Sequence, residues 1–209
     1  GNIDGGTGDD SIDLLAGAVS EVLGGDDNDT IMLNGATVGG NIDGGAGNDT
    51  IDLLSGTVSN VLGLADDDAI TLNGATVTGN IVSGTGNDNF IWQLGSTTDF
   101  RGGDGSDVAD IRAAEYDGTQ ILDGGDDADS GDGWIDQLTL GNQVIAGTIS
   151  GANILNWENV FLVDSTLEVD DLVTETLNVS GGSTTLGGAS AITSVLGSIS
   201  DETITVTDV

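Results

Sequence analysis

The chain lacks cysteine, proline, histidine and lysine, and only 3% of its residues are aromatic. Without cysteine there are no disulfides and no thiolate metal sites. Without histidine and lysine, most routes to acid–base catalysis near neutral pH are closed. Positive charge is nearly absent too: Arg101 and Arg112 stand against 36 acidic residues, for a formal charge of −34 over 209 residues. Such a chain is repelled by nucleic acid and by anionic lipid surfaces, and repels itself when compact unless a cation intervenes. No apolar run approaches the length of a membrane span. High charge alone would suggest disorder, but 37% of the residues are apolar, and they are evenly spaced.

That spacing is a repeat. "DGGTGDDSIDLL" (4–15) returns as "DGGAGNDTIDLL" (43–54), with looser copies at 23–34, 62–73, 82–93 and 101–112 and an interrupted one from 123. Successive starts lie 19, 20, 19, 20, 19 and 22 residues apart. After each turn the chain alternates: Ile12/Leu14, Ile31/Leu33, Ile51/Leu53, Ile70/Leu72, Phe90/Trp92 and Ala109/Ile111 share one side. Such alternation marks strands with one buried face, and no stretch carries a helical stripe with caps. Between the aspartate turns, "NGAT"-type turns lead to a second apolar element: Val19, Val38, Val58 and Val77, then Val22, Ile42, Val61 and Ile81. A unit of about 20 residues cannot bury its own apolar face, but stacked units can. The fold predicted is all-β, a right-handed parallel β-roll or β-solenoid with two short strands per coil of 19–20 residues.

The turns predict a metal site. Glycines let the backbone take positive φ and turn its carbonyl oxygens inward, and an aspartate closes each turn: Asp10, Asp29, Asp49, Asp68, Asp88, Asp107 and, in the interrupted copy, Asp129. Stacking brings carboxylates and carbonyls of neighbouring coils together, a hard-oxygen set that suits Ca²⁺. The ligand positions expected beside the aspartates are Gly5, Thr7, Asp9, Gly24, Asp26, Gly44, Ala46, Gly63, Ala65, Thr85, Gly102, Asp104, Gly124 and Asp126. Seven turns leave room for about six ions, in a ladder along one edge only, because the "NGAT" edge has no aspartate. Backbone pairing and Asn or Thr columns must hold that other edge.

"GGTGDDSID", "GGAGNDTID" and "GGDGSDVAD" resemble the G-G-x-G-x-D-x-U-x nonapeptide (U apolar) of the RTX, or repeats-in-toxin, calcium-binding family. The resemblance covers about residues 1–140. It implies a calcium-dependent β-roll, type I secretion from a bacterium, and folding on meeting extracellular calcium. Two segments are expected: 1–139, the calcium-binding solenoid, and 140–209, a metal-free continuation as solenoid coils or a β-sandwich. The latter weakly resembles parts of bacterial S-layer, adhesin and autotransporter-like proteins.

These features point to a non-enzymatic, calcium-stabilised rod on the bacterial surface, as filament, S-layer or adhesin, able to associate head to tail or with a longer parent chain. The alternative is a calcium-triggered secretion and folding module of an RTX enzyme or toxin. Nothing resembling G-x-S-x-G or H-E-x-x-H is present. Exposed acids such as Asp13 and Asp52 are read as solvated, Phe90 and Trp92 as core.

Overall fold

A computed structural model describes residues 1–125, 133–197 and 203–207. It is all-β, 71% strand, a right-handed parallel solenoid of about ten coils. Among the described residues, nineteen strands form one continuous sheet. Coil 1 shows the plan: Ile3–Thr7, the aspartate turn, Ser11–Leu14, a glycine corner, and the short edge strand Ala18–Val19. In later coils these merge, so that Thr30–Ala46 and Thr50–Ala65 each run without a break from one turn round to the next.

Among the described residues every strand pairing is parallel. One position can be followed through the stack: Ser11, Thr30, Thr50, Ala69, Asn89, Val108, Gln137, Asn159, Thr176 and Ser194 lie one above another. The side-chain period of two then sends the next position inward, so a one-residue slip in any coil would expose its whole apolar set. The column after the turn is fully buried from Ile31 and Ile51 through Phe90 to Leu138 and Val160, and it faces Val22, Ile42, Val61, Ile81, Phe100 and Leu122 across the core. The core is two facing layers, as a solenoid requires.

Aromatics thicken it where the repeat becomes irregular. Phe90 and Phe100 stack with centroids 4.4 Å apart, Trp92 meets Tyr116 edge-on at 6.1 Å, and Phe100 lies 6.3 Å from Trp157. Phe90 and Trp92 are completely buried. Both buried tryptophans find acceptors, Trp92 Nε1 donating to Gly95 O and Trp157 Nε1 to Leu122 O.

Parallel pairing continues past residue 140. Asn159–Asp170 pairs with Val173–Gly187, which pairs in turn with Ala191–Gly197 and Thr203–Val206. Of the two forms expected for this segment, it takes solenoid coils.

The edge without aspartates is held as its composition requires. Asn60 Nδ2 donates to Asn41 Oδ1 at 3.0 Å, and the Asn80 N–H donates to Asn60 Oδ1 at 3.1 Å. Thr37, Thr57, Thr76 and Ser96 form a second column there.

Candidate metal centre

The closing aspartates form one ladder. The backbone N–H of each donates to Oδ1 of the aspartate one coil on: Asp10 to Asp29 at 2.8 Å, Asp29 to Asp49 at 2.7 Å, Asp49 to Asp68 at 2.8 Å, Asp68 to Asp88 at 2.7 Å and Asp88 to Asp107 at 2.8 Å. Asp29, Asp49, Asp68 and Asp88 are each at most 2% exposed.

The next rung is Asp136. Its Oδ1 accepts the Asp107 N–H at 2.7 Å, although 29 residues separate them. The Asp136 N–H in turn donates to Glu158 Oε2. Asp129 and Asp126, placed in the ladder by spacing, lie outside the described residues. Asp136 and Glu158 were legible by another signal, since each stands one residue before an alternating pair, "DQLTL" and "ENVFL", as Asp49 stands before "TIDL".

One carboxylate oxygen per rung is thus a strut between coils. The other oxygen is different. In Asp10, Asp29, Asp49, Asp68 and Asp88, Oδ2 is buried and has no hydrogen-bond partner. It turns onto the first glycine of its own turn. A Cβ at Gly24 would stand 2.4 Å from Asp29 Oδ2 and 2.4 Å from Gly44 O of the next coil. The same pairing of carboxylate and carbonyl occurs at Gly5 (Asp10 Oδ2, Gly24 O), Gly63 (Asp68 Oδ2, Ser83 O) and Gly102 (Asp107 Oδ2, Gly124 O). The first-position residue therefore has two tasks. Its missing side chain admits the carboxylate, and its carbonyl approaches the carboxylate of the coil before. Ser83 holds that place in the fifth turn, and its buried hydroxyl also has no partner.

Positive φ falls on the second and fourth turn positions, as at Gly45 (118°) and Gly47 (117°). The looser copies keep this backbone with other residues: Asp27 at 77°, Leu64 at 90° and Asp66 at 73°. Aspartate tolerates the left-handed region, but leucine there is strained.

The third-position residues Thr7, Asp26, Ala46, Ala65, Thr85 and Asp104 lie toward solvent. The carbonyls of Asp26, Ala65 and Asp104 accept N–H groups from the coil before. The fifth positions form an exposed ladder that runs the opposite way. Asp9 Oδ1 accepts the Asn28 N–H at 3.1 Å, Asn28 Oδ1 the Asn48 N–H at 2.7 Å, and Asn48 Oδ1 the Asp67 N–H at 3.1 Å.

Burial sets the electrostatics. It pushes the Asp49 and Asp88 carboxyls up to about 6 and Asp68 to about 7, against the pull of the N–H that each accepts. Neighbouring acids push the same way: Asp29, Asp43 and Asp66 on Asp49, and Asp88, Asp49 and Asp66 on Asp68. Two ionised carboxylates one coil (~4.8 Å) apart repel by roughly 3–4 kcal/mol at the effective dielectric of a protein surface. Neither arginine relieves this: Arg112 pairs with Asp110 at 2.9 Å and Arg101 with Asp99 at 4.0 Å.

The donor set is oxygen only. Among the described residues no three carboxylates converge, since each coil supplies a single one, and the remaining donors at any rung are backbone carbonyls. Buried, partnerless carboxylate oxygens beside carbonyls, in a chain without thiolate or imidazole ligands, fit a hard cation such as Ca²⁺ and not Zn²⁺ or Cu²⁺. No protein-family model matches the chain, and no curated protein or solved structure matches it.

Proposed function

We propose that the chain is a calcium-stabilised structural rod of the RTX type, working outside a bacterial cell. The observation that carries this reading is the set of partnerless Oδ2 atoms on Asp10, Asp29, Asp49, Asp68 and Asp88, buried in a chain of charge −34. A buried carboxylate must be paired, coordinated or protonated. Calcium bound there would supply counter-charge between neighbouring coils. Each aspartate offers Oδ2, and the first-position carbonyls of Gly24, Gly44, Ser83 and Gly124 offer the adjoining oxygen. The third- and fifth-position residues would bear on the ion only through the backbone.

Extracellular calcium modules work at about 0.1–1 mM, which suits a site built largely from carbonyls with one carboxylate per coil. Because the solenoid has little else to offset its charge, binding is coupled to folding. The role is structural rather than catalytic: a stiff, non-enzymatic element of a surface filament, layer or adhesin, whose ladder is continued by further coils or by a neighbouring copy.

The test is far-ultraviolet circular dichroism of the chelated chain titrated with Ca²⁺ and, separately, with Mg²⁺. The expected result is loss of β-signal in chelator and recovery near millimolar Ca²⁺, with Mg²⁺ much less effective. A chain equally folded and equally heat-stable in chelator would overturn the reading.

A further inference from the structure

The acid is not evenly spread. Residues 14–20, 33–42, 53–62, 72–83 and 89–98 contain no charged side chain. In the fold these five runs become the edge opposite the aspartate ladder, stacked in register over coils 1–5. The outward positions are small and hydroxylated: Thr37, Thr57, Thr76 and Ser96 in one column, Ser59 and Thr78 in the next. Several are held rigid, since Ser59 Oγ donates to Gly39 O at 2.7 Å and Thr78 Oγ1 to Val58 O at 3.4 Å. At the corner beside this strip, Leu15 and Leu94 are 61% and 53% exposed. The sheet faces, by contrast, carry Asp13, Asp52 and Asp110, or Asp4 and Asp43.

We propose that this uncharged strip is a lateral contact surface whose occupant is the same strip on a second copy of the chain. Two features of the fold select that partner. Charge is the first: two molecules meeting strip to strip hold their aspartate ladders at the far edges, whereas contact through the sheet faces or the ladder edge of these five coils sets acid against acid. Period is the second. The strip repeats every ~4.8 Å along the stack, and a second copy has that repeat by construction, so hydroxyls and backbone grooves meet in register over all five coils. Size sets the strength. At roughly 24 Å by 10 Å it buries about 250 Å² per molecule, well under the ~800 Å² per partner of a stable complex. The contact is transient in isolation and gains through repetition along rods that carry many coils.

The chain has no cysteine, so one introduced residue reports the contact without background. Thr57 lies in the central coil of the five, where it meets its counterpart in either relative orientation. With calcium present, Thr57→Cys is expected to form disulfide-linked pairs about tenfold faster than Asp52→Cys on the sheet face. Adding Thr37→Glu and Thr76→Glu to Thr57→Cys should abolish the difference through like-charge repulsion, with the circular dichroism spectrum unchanged. Equal rates for the two cysteine variants, or indifference to the added glutamates, would overturn the proposal. So would slow cross-linking together with retention of the wild-type chain on insoluble chitin or cellulose, which would assign the strip to a neutral glycan. This inference rests on calcium only for folding. Pairing by a chain that folds equally in chelator would refute the calcium reading alone; a calcium-folded chain that does not pair would refute this one alone.

Discussion

Replacing Asp49 by asparagine should change stability in opposite directions with and without calcium. Asp49 Oδ1 accepts the Asp29 N–H at 2.7 Å, and an asparagine oxygen can do the same. What the replacement removes is a charge on a side chain only 1% exposed, whose Oδ2 has no partner. Burial first, and then Asp29, Asp43 and Asp66, raise this carboxyl to about 6. Because the folded value lies above the ordinary 3.8, the carboxyl favours the fold when protonated. That contribution is full below about pH 4 and is lost as pH rises through about 6. In chelator at pH 7.5, Asp49→Asn should therefore keep more β-signal than the wild-type chain, and at pH 4, where the carboxyl is protonated, the two should be nearly alike. In saturating calcium the same change removes a ligand, and a tenfold loss of affinity at that junction corresponds to about 1.4 kcal/mol. Asp49→Ala separates the two roles of the side chain. It leaves the buried Asp29 N–H without its acceptor, at about 1–3 kcal/mol. For a chain of this size 2 kcal/mol lowers the midpoint by about 4–8 °C, and the loss should appear in calcium at pH 7.5 and without calcium at pH 4 alike. Thermal circular dichroism of the three proteins in both conditions and at both pH values is the assay. If Asp49→Asn destabilises equally in calcium and chelator at pH 7.5, the carboxylate is not a ligand and the charge argument fails.

Three further changes probe the ladder's surroundings. Gly44→Ala puts a Cβ 2.3 Å from Asp49 Oδ2 and should cost about 1–3 kcal/mol, whereas Gly39→Ala, whose nearest neighbour is Val19 O at 3.8 Å, should be nearly neutral by chemical denaturation. Leu64→Gly removes a leucine held at φ 90° and 44% exposed; relief of strain should stabilise by about 1 kcal/mol, seen as a midpoint raised by about 2–4 °C. Asp136→Ala withdraws the acceptor of the Asp107 N–H at 2.7 Å and should cost about 1–3 kcal/mol in the same melt, with Asp13→Ala on the exposed face as the near-neutral control.

The coil, its length, its core columns and the edge that carries the acids could all be read from the sequence, because a period of 19–20 residues repeats every signal. What escaped followed from tracking glycine rather than phase. Spacing puts Asp129 on the seventh rung, 22 residues after Asp107 and close to the usual interval. Asp136 takes the rung instead because register is set by the strand that follows, where Gln137 pairs with Val108 and Leu138 with Ala109. Pairing and burial fix that register over several residues together, so extra residues are accommodated ahead of it. Glu158 was missed for the same reason, having no glycine turn before it. Ser83 departs from the glycine of the other turns, yet its carbonyl stands where Gly44 O and Gly124 O stand in their coils. Sequence places the third-position residues in the turn but does not say that their side chains lie toward solvent, which leaves them only backbone oxygens to offer.

The two turn ladders together explain why the sixth position demands an acid. The fifth position is filled by Asp9, Asn28, Asn48, Asp67, Asn87 and Ser106. All six do the same work, each accepting a backbone N–H from the coil above at 2.7–3.1 Å. Any short acceptor is enough there, and the position is exposed, so charge costs little. The sixth position also accepts one N–H per coil, and asparagine would serve as well without a buried charge. Yet all six regular copies, and the Asp136 rung beyond them, carry aspartate. The acid is retained where it is most costly, buried, repelled by its neighbours and out of reach of both arginines. A hydrogen-bond strut alone does not require that charge, whereas a strut that also holds a cation on its second oxygen does.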